Sequence, residues 1–300
     1  MKFTFWGVRG SFPTSRREAL ALGGNTSCIS LEAEGHMLII DAGSGIRRLG
    51  DDLMAQTRGH KQVDILFSHA HWDHILGFPH FSPAYSEQYA LRLHSIKRLT
   101  TTLQQLLSYQ QDSGFFPVPL NRLSCQLSYH EMDEGETINI GPFQVTVYRL
   151  NHPGISAGFR VTYKNQVFAY VTDVAPSRDI LMAEFLPGDL TTQENLRHLY
   201  ENQLRLAEGA EVVVYDTFFT PEQYQERKHW GHSTAEDGVA LCQEAGAKNL
   251  FFFHHNPEYP DKVQMERQAL LQSQFPGLPI HLGRELDSYL VEGGRAIKCG

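Results

Sequence analysis

A run of six residues, His69-Ala70-His71-Trp72-Asp73-His74, places four metal-ligand side chains directly after an apolar segment. The segment 63–68 is short and apolar, which predicts a buried strand. Because residues two apart point the same way at a strand end, the first two histidines of the run can bind one ion together. The chain then turns, so the Asp-His pair can face a second ion. Imidazoles with a carboxylate suit zinc or a similar transition metal better than magnesium or calcium.

Three further candidate ligands each follow a separate apolar run. They are His152 after 143–148, Asp173 after 167–171 and His254 after 250–253. Rigid scaffolds present functional residues on the loops at which strands end. We therefore predict that these three residues join the first run in one site.

Two more aspartates also end strand-like runs. Asp41 follows Ile39-Ile40, and we expect it to play a structural role by forming hydrogen bonds beneath the first motif. Asp216 ends the run 211–215, where it either orients a ligand histidine or is only structural. His80 lies in the segment after the first motif and is expected at the rim of the site rather than among the ligands.

The order of these ligands resembles the metallo-β-lactamase superfamily: His-x-His-x-Asp-His, a lone histidine, an aspartate and a last histidine. The resemblance implies an α/β (α+β) fold, a four-layer αββα sandwich, and two divalent metal ions, Zn²⁺ first with Mn²⁺ or Fe²⁺ as alternatives. It assigns His69, His71 and His152 to one metal, Asp73, His74 and His254 to the other, and Asp173 to a bridge between them. Ala70 stands where the diiron flavoprotein branch has an acidic ligand, which favours hydrolysis over redox chemistry.

The last ligand has a competitor, because His255 directly follows His254. Tyr259 lies five residues after His254, as in the pattern of the transfer-RNA 3′-processing enzymes. This spacing favours His254.

The sequence His232-Ser233-Thr234 resembles the phosphodiesterase branch of the superfamily. Ser233 and Glu236 also have the spacing of a capping box, which predicts a helix from here to about residue 246. A helix N-terminus offers free N–H groups to an anion, so Ser233 and Thr234 are candidate substrate contacts. His232 is a candidate catalytic residue that contacts a phosphoryl oxygen or protonates the leaving oxygen. The alternative is a helix cap beside a merely packed histidine.

Other motifs resemble one bacterial group within that branch, and together they span almost the whole chain. They are Phe5-Trp6-Gly7-Val8-Arg9-Gly10-Ser11-Phe12-Pro13, Gly23-Gly24-Asn25-Thr26-Ser27-Cys28, Phe115-Phe116-Pro117-Val118-Pro119, Leu150-Asn151-His152-Pro153-Gly154 and Phe253-His254-His255-Asn256-Pro257. Members of this group resemble cyclic-nucleotide phosphodiesterases, including anti-Pycsar-type enzymes that destroy cyclic pyrimidine signals in anti-phage defence. The neighbouring group comprises the transfer-RNA 3′-processing endonucleases.

The resemblance implies an enzyme that hydrolyses 3′,5′-cyclic nucleotides to 5′-monophosphates by means of a hydroxide activated by two metals. Asp73 and His232 are its expected catalytic residues, and its partner is a small phosphodiester. The alternatives are a transfer-RNA 3′-processing endonuclease, another hydrolase of this fold that acts on small esters, or a catalytically silent binding protein. The resemblance also suggests a homodimer.

Composition bears on these alternatives. The 300 residues, 41% of them hydrophobic, are predicted to form one domain over 1–300, with a rim insertion around 80–120 and a helical segment around 176–210. Phe115 and Phe116 in the insertion either stack on a nucleobase or pack into the core or a dimer interface. The formal net charge of −8 counts against long nucleic acid as a partner.

The expected location is the cytoplasm. No apolar run is long enough to cross a membrane, and the first residues are typical of a strand rather than a signal peptide. The four cysteines are far apart in the sequence and are expected to be reduced thiols.

Overall fold

The computed structural model describes residues 1–55, 61–184 and 190–300. The strands within these ranges are β1 (Lys2–Gly7), β2 (Cys28–Ala33), β3 (His36–Ile40), β4 (Gln62–Phe67), β5 (Ala90–Ile96), β6 (Gln126–Met132), β7 (Thr137–Ile140), β8 (Phe143–Arg149), β9 (Ala157–Tyr163), β10 (Gln166–Val171), β11 (Val212–Asp216), β12 (Leu250–Phe253), β13 (Ile280–Leu282), β14 (Ser288–Glu292) and β15 (Arg295–Lys298). The α-helices are α1 (Ile46–Ala55), α2 (Trp72–Ile75), α3 (Leu103–Gln110), α4 (Thr192–Ala207), α5 (Pro221–Arg227), α6 (Ala235–Ala245) and α7 (Asp261–Gln274). Short 3₁₀ helices cover Arg17–Ala19, Phe78–His80, Ser82–Tyr85, Leu120–Arg122 and Lys228–Trp230.

The strands form two sheets, and each sheet has a parallel part and an antiparallel part. The first sheet has the order β15-β14-β1-β2-β3-β4-β5-β6 and is parallel from β3 to β6. The second has the order β13-β12-β11-β10-β9-β8-β7 and is parallel from β10 to β13. Strand ends in the parallel parts point to the same edge, so the loops that follow them can gather there.

The core has three apolar layers because each sheet is covered on both faces. In β10, Phe168 and Tyr170 point into the layer between the sheets, whereas Val167, Ala169 and Val171 pack against helices α4 and α6. This alternation follows from the period of two in a strand. A third layer lies between the first sheet and helices α1 and α3. The predicted αββα sandwich is confirmed.

The strands expected before each candidate ligand are present as β4, β8, β10, β11 and β12, and the chain starts with β1. Ala90–Ile96 falls inside the range expected to be a rim insertion, but it is β5 and pairs with β4 and β6. It alternates apolar and polar residues within a parallel sheet, a pattern that the sequence analysis overlooked. In the range 176–210, helix α4 begins at a capping box between Thr191 and Glu194, while residues 185–189 lie outside the described part.

The described part of the chain holds no helix with the length and apolar character needed to span a bilayer. All four cysteines are unpaired, and Cys299 is the exposed one.

Candidate metal centre

Three histidines from two strand ends form the first ligand cluster. His69 and His71 follow β4, and His152 follows β8. The Nδ1 atom of His71 lies 2.9 Å from His69 Nε2 and 3.1 Å from His152 Nε2. Burial lowers the pKa of all three imidazoles, that of His152 to about 3. Neutral rings present lone pairs to one point, which is what a metal ion requires.

Four buried residues form the second cluster, namely Asp73, His74, Asp173 and His254. His254 Nε2 lies 3.0 Å from Asp73 Oδ2 and 3.3 Å from His74 Nε2. Asp173, a member of the second cluster, also approaches the first. Its Oδ1 is 3.2 Å from His254 Nε2, and its Oδ2 is 3.9 Å from His69 Nε2.

The charges of the second cluster shift the pKa values of its members. Burial opposes ionisation of Asp73 most strongly, but the neighbouring His74 and His254 outweigh it and hold the pKa of Asp73 well below its usual value. Burial also opposes a charge on His74, yet Asp173, Asp73 and Asp41 together raise the pKa of His74 well above its usual value. Nitrogen and carboxylate donors at these positions suit a pair of divalent transition-metal ions.

Asp41 forms hydrogen bonds with the first motif and with the residue directly before it, as expected. Its Oδ2 lies 2.7 Å from His74 Nδ1 and accepts hydrogen bonds from Tyr170 and from the Ser68 hydroxyl. Its Oδ1 accepts the Ser68 N–H at 2.8 Å. This contact leaves Nε2 of His74 as the nitrogen that faces the second cluster.

His232 lies beside both clusters and is oriented by Asp216. The Nδ1 atom of His232 is 2.8 Å from Asp216 Oδ2, and Asp216 also accepts the backbone N–H groups of Val174 and Phe218. Burial is the largest influence on His232 and works against its charge, but Asp216 outweighs it and raises the pKa of His232. Phe218 stacks on the imidazole with the ring centres 4.5 Å apart. Asp216 therefore contacts His232. The donor atoms of Asp173, Asp216, His232 and His254 also lie close enough together to hold a metal ion.

The helix after His232 begins one residue later than predicted. Thr234 is the N-cap of α6, and its capping box uses Asp237 rather than Glu236. The Ser233 hydroxyl instead donates to the carbonyl of Val174 and accepts a hydrogen bond from Tyr215 at 3.2 Å. The side chains of Ser233 and Thr234 are buried and hydrogen-bonded within the protein.

Two other histidines lie outside the clusters. His255 is buried, its Nε2 is 2.9 Å from the carbonyl oxygen of Gly283, and burial lowers its pKa to about 3. The structure therefore brings His254, not His255, to the ligands. His80 is exposed, and its ring is 5.4 Å from that of Phe116.

An aromatic cavity of about 410 Å³ adjoins the first motif. Its lining includes Ala70, Trp72, Tyr109 and Phe115, and the last three are largely exposed. Phe115 is 78% exposed and therefore does not pack into the core of this chain. Phe116 is half-buried at the same cavity.

The sequence analysis missed two residues that contact the site. Phe218 stacks on His232, and the backbone N–H of Ser11 donates to Asp73 Oδ2 at 2.7 Å. Phe218 follows a strand end two residues after Asp216, a position that could have been recognised. Ser11 is 62 residues from Asp73, and a backbone donor leaves no mark on the side-chain pattern.

A family model described as "Beta-lactamase superfamily domain" matches residues 36–255, a range that contains every residue of both clusters. Curated relatives match nearly the whole chain. "Ribonuclease Z" of Gemmatimonas aurantiaca is 23% identical and covers 96% of each chain. "Ribonuclease BN" of Cronobacter sakazakii is 22% identical over 92% of this chain and 96% of its own.

Solved structures share the fold. The metallo-β-lactamase fold protein YhfI of Bacillus subtilis superposes with a TM-score of 0.65 at 16% identity, covering 96% of this chain and 99% of its own. The short form of human tRNase Z gives 0.64 at 18% identity, with 97% and 100% covered. A diphosphatase from the PhnP family gives 0.64 at 16% identity, with 97% and 98% covered.

Proposed function

The chain belongs to the β-lactamase superfamily domain family and is related to transfer-RNA 3′-processing enzymes, and we propose that it is a metal-dependent phosphodiesterase. The observation that carries this proposal is the convergence of two ligand clusters and an aspartate-oriented histidine at one edge of the two sheets. Metal ligands alone would serve many hydrolases of this fold. A positioned proton donor beside them suits the departure of an alkoxide from phosphorus.

Two divalent ions, Zn²⁺ first with Mn²⁺ or Fe²⁺ as alternatives, would be held by the two clusters. His69, His71 and His152 would hold one, and Asp73, His74 and His254 the other, with Asp173 shared. When bound, such ions act as Lewis acids toward phosphoryl oxygens and lower the pKa of a bound water molecule toward neutral pH. The protein orients these donors, since Asp41 contacts Nδ1 of His74 and the carbonyl of Gly231 contacts Nδ1 of His152.

His232 is the proposed general acid. Asp216 occupies its Nδ1, so Nε2 is the nitrogen that remains to exchange a proton with substrate. The stacked Phe218 restricts rotation of the ring. Asp73, a proposed ligand, acts in the same step through the charge that it contributes.

The relatives favour RNA as the substrate over a cyclic nucleotide. Two curated relatives that align over nearly their full length are named as ribonucleases, and a transfer-RNA enzyme shares the fold. The first candidate is therefore cleavage at the 3′ side of a precursor transfer RNA. The cyclic-nucleotide substrate expected from the sequence becomes the second candidate.

A specific observation keeps the second candidate in play. Several basic side chains are paired with carboxylates: Arg178 with Asp237, Lys228 with Asp179, Arg227 with Glu258 and Arg16 with Glu18. Their charges are thus locally offset, and the chain has a net charge of −8. Binding of a long RNA normally requires uncompensated cations along its backbone.

The aromatic cavity suits either candidate. Phe115, with Phe116 and Trp72 beside it, provides ring faces next to the histidine cluster, and bases stack on such faces without sequence preference. A terminal nucleotide of an RNA and a single cyclic nucleotide would both present one base there. The predicted homodimer would compete for this surface, and light scattering of the purified protein tests it.

One experiment separates the two substrates. The Zn²⁺- or Mn²⁺-loaded protein is incubated in parallel with a precursor transfer RNA, the 3′,5′-cyclic nucleotides and bis-(p-nitrophenyl) phosphate, and products are resolved by chromatography. Cleavage of the RNA at its 3′ trailer supports the first candidate, and 5′-monophosphates from cyclic nucleotides support the second. If the loaded protein cleaves none of the three, the phosphodiesterase proposal is wrong.

A further inference from the structure

The loop that follows β1 contacts two members of the second cluster. Ser11 donates its backbone N–H to Asp73 Oδ2 at 2.7 Å and adopts a left-handed φ of 62°. Gly10 lies against the ring of His254, since a Cβ atom at Gly10 would be 2.3 Å from His254 Cε1. The described residues show no hydrogen bond from this loop to the three-histidine cluster.

The backbone of the loop is in register with the segment that carries His254. Gly10 donates to the carbonyl of His255 at 3.1 Å, and His255 donates to that of Val8 at 2.9 Å. On its other side, Arg9 donates its backbone N–H to the carbonyl of Asn25 at 2.9 Å. Displacement of the loop would therefore move His254 together with the donor to Asp73.

A buried arginine fixes this loop from within. The Arg9 side chain is fully buried and forms an ion pair with Asp261, the first residue of α7. It also donates to the carbonyls of Ala19 and Gly23, the latter at 2.6 Å. Asp261 accepts the Leu22 N–H at 2.9 Å through its other oxygen. Every contact of the guanidinium is internal, and a buried charge of this kind is costly unless it is fully paired.

We propose that Arg9 is a positioning residue for the metal held by Asp73, His74 and His254. The Arg9–Asp261 pair places Gly10 against the His254 ring and the Ser11 N–H on the Asp73 carboxylate. This inference rests on the metal centre of the proposed function. If the pair is purely structural, its loss lowers the stability of the whole chain. If it positions the ligands, its loss weakens one metal site selectively.

The test measures metal binding in Arg9→Met and in the double variant Arg9→Met/Asp261→Asn, which leaves no unpaired buried carboxylate. Zn²⁺ stoichiometry and affinity are measured by competition with a chromophoric chelator, after circular dichroism has shown that the variants fold. We expect one of two sites to weaken about 10- to 100-fold, the range for partners that orient metal ligands. The affected site should match the one lost in Asp73→Asn, and Arg9→Lys should recover part of the affinity.

Arg92→Met is the matched control, because Arg92 pairs with the buried Asp64 on β4 rather than at the clusters. It should bind two ions with parental affinity. Unchanged affinity at both sites in the Arg9 variants, or equal weakening of both, would overturn the inference. A parent protein that binds no metal would overturn the metal centre and this inference together. Two bound ions without hydrolysis of any diester would overturn the proposed function alone, since the Arg9 variants are judged by binding.

Discussion

Two clusters of largely buried polar side chains lie along β4 and the segment that follows it. Their hydrogen-bonding groups find partners in different ways. Within the strand, both oxygens of Asp64 accept hydrogen bonds from Arg92, and His94 Nε2 lies 2.8 Å from Asp64 Oδ1. Beyond the strand end, the nitrogens of His69 and His71 face each other at 2.9 Å, and those of His74 and His254 at 3.3 Å. The Asp64 cluster pairs one acid with two bases. In the three-histidine cluster the imidazole nitrogens instead face one another, and the Asp173 carboxylate lies 3.9 Å from His69 and His152.

This difference separates a structural cluster from a functional one better than burial does, because Asp64, His69 and His152 are all buried. A carboxylate that finds an arginine and a histidine inside the chain needs no further partner. In the three-histidine cluster, burial lowers the pKa of His69, His71 and His152, and their nitrogen atoms face one another. A cation bound from outside the chain would satisfy these neutral rings. Position in the fold agrees with this distinction, since the Asp64 cluster lies within the sheet and the other at the edge where loops gather.

The largest contrast is expected from removing one carboxylate from each cluster. Asp73→Ala should lower turnover by about 10³-fold or more, because a metal site contributes several kcal/mol of charge stabilisation and 1.36 kcal/mol is a factor of ten in rate. Asp64→Ala removes an equally buried carboxylate and should leave kcat within about twofold at a temperature where it is folded. Steady-state hydrolysis of bis-(p-nitrophenyl) phosphate, with metal content measured in parallel, checks both. Near-normal turnover of Asp73→Ala would remove it from the site.

His232→Gln should produce the next largest effect. Loss of a positioned proton donor costs about 10²- to 10⁴-fold in kcat, and the proposed ligands are untouched, so two ions should remain bound. His229→Gln is the control because His229 is exposed three residues away. Equal loss of metal and turnover in His232→Gln would instead assign His232 to the ligand set.

A smaller effect is expected at the aromatic cavity. Phe115→Ala removes an exposed ring that we propose to stack on a base, and stacking contributes about 1–3 kcal/mol. We expect KM for the natural substrate to rise by about tenfold or more while kcat for bis-(p-nitrophenyl) phosphate is unchanged. Leu99→Ala, at another exposed apolar residue before α3, should change neither value. If Phe115→Ala instead alters the molar mass measured by light scattering, the ring belongs to an interface between copies of the chain.

The sequence predicted most of the fold because each ligand follows an apolar run of strand length. The strands β4, β8, β10 and β12 follow from that pattern, and the αββα sandwich follows from the resemblance to the superfamily. The structure brings the seven predicted ligands into two adjoining clusters. The helix after His232 was predicted one residue early. Ser, Thr, Asp and Glu are all competent at capping positions, and only the tertiary contact from Ser233 to Val174 decides between the two registers.

What the sequence could not predict depends on contacts between distant segments. Arg9 and Asp261 are 252 residues apart, and nothing local marks either as the partner of the other. Two features leave a local signal that does not decide between interpretations. They are Phe218, which follows a strand end, and the alternation of apolar and polar residues in β5. The substrate is the least predictable feature. The pairing of basic side chains with carboxylates, as in Arg178–Asp237 and Lys228–Asp179, is set by side-chain positions rather than by net charge.

The smallest expected effect concerns stability and its dependence on pH at Asp64. Burial works to raise the pKa of Asp64, but the hydrogen bonds from His94 and Arg92 outweigh it and lower the pKa below its usual value. Asp64→Asn should therefore lower the free energy of unfolding by about 1–3 kcal/mol near neutral pH without altering turnover. A depressed carboxyl pKa contributes stability above the unfolded value of about 3.9, and this contribution is lost as pH falls through the folded value.

The gap in stability between the parent and Asp64→Asn should thus be constant from about pH 7 to pH 5 and shrink below about pH 4. Urea unfolding of both proteins after removal of metal with a chelator measures it without interference from the clusters. Asp52→Asn, at an exposed ion pair with Arg48, is the control and should change stability by no more than about 0.5 kcal/mol at any pH. A gap that instead grew on acidification would mean that the protonated form of Asp64 is the one stabilised by folding. Arg92 and His94 would then not compensate the charge of Asp64, and the contrast between the two regions would fail.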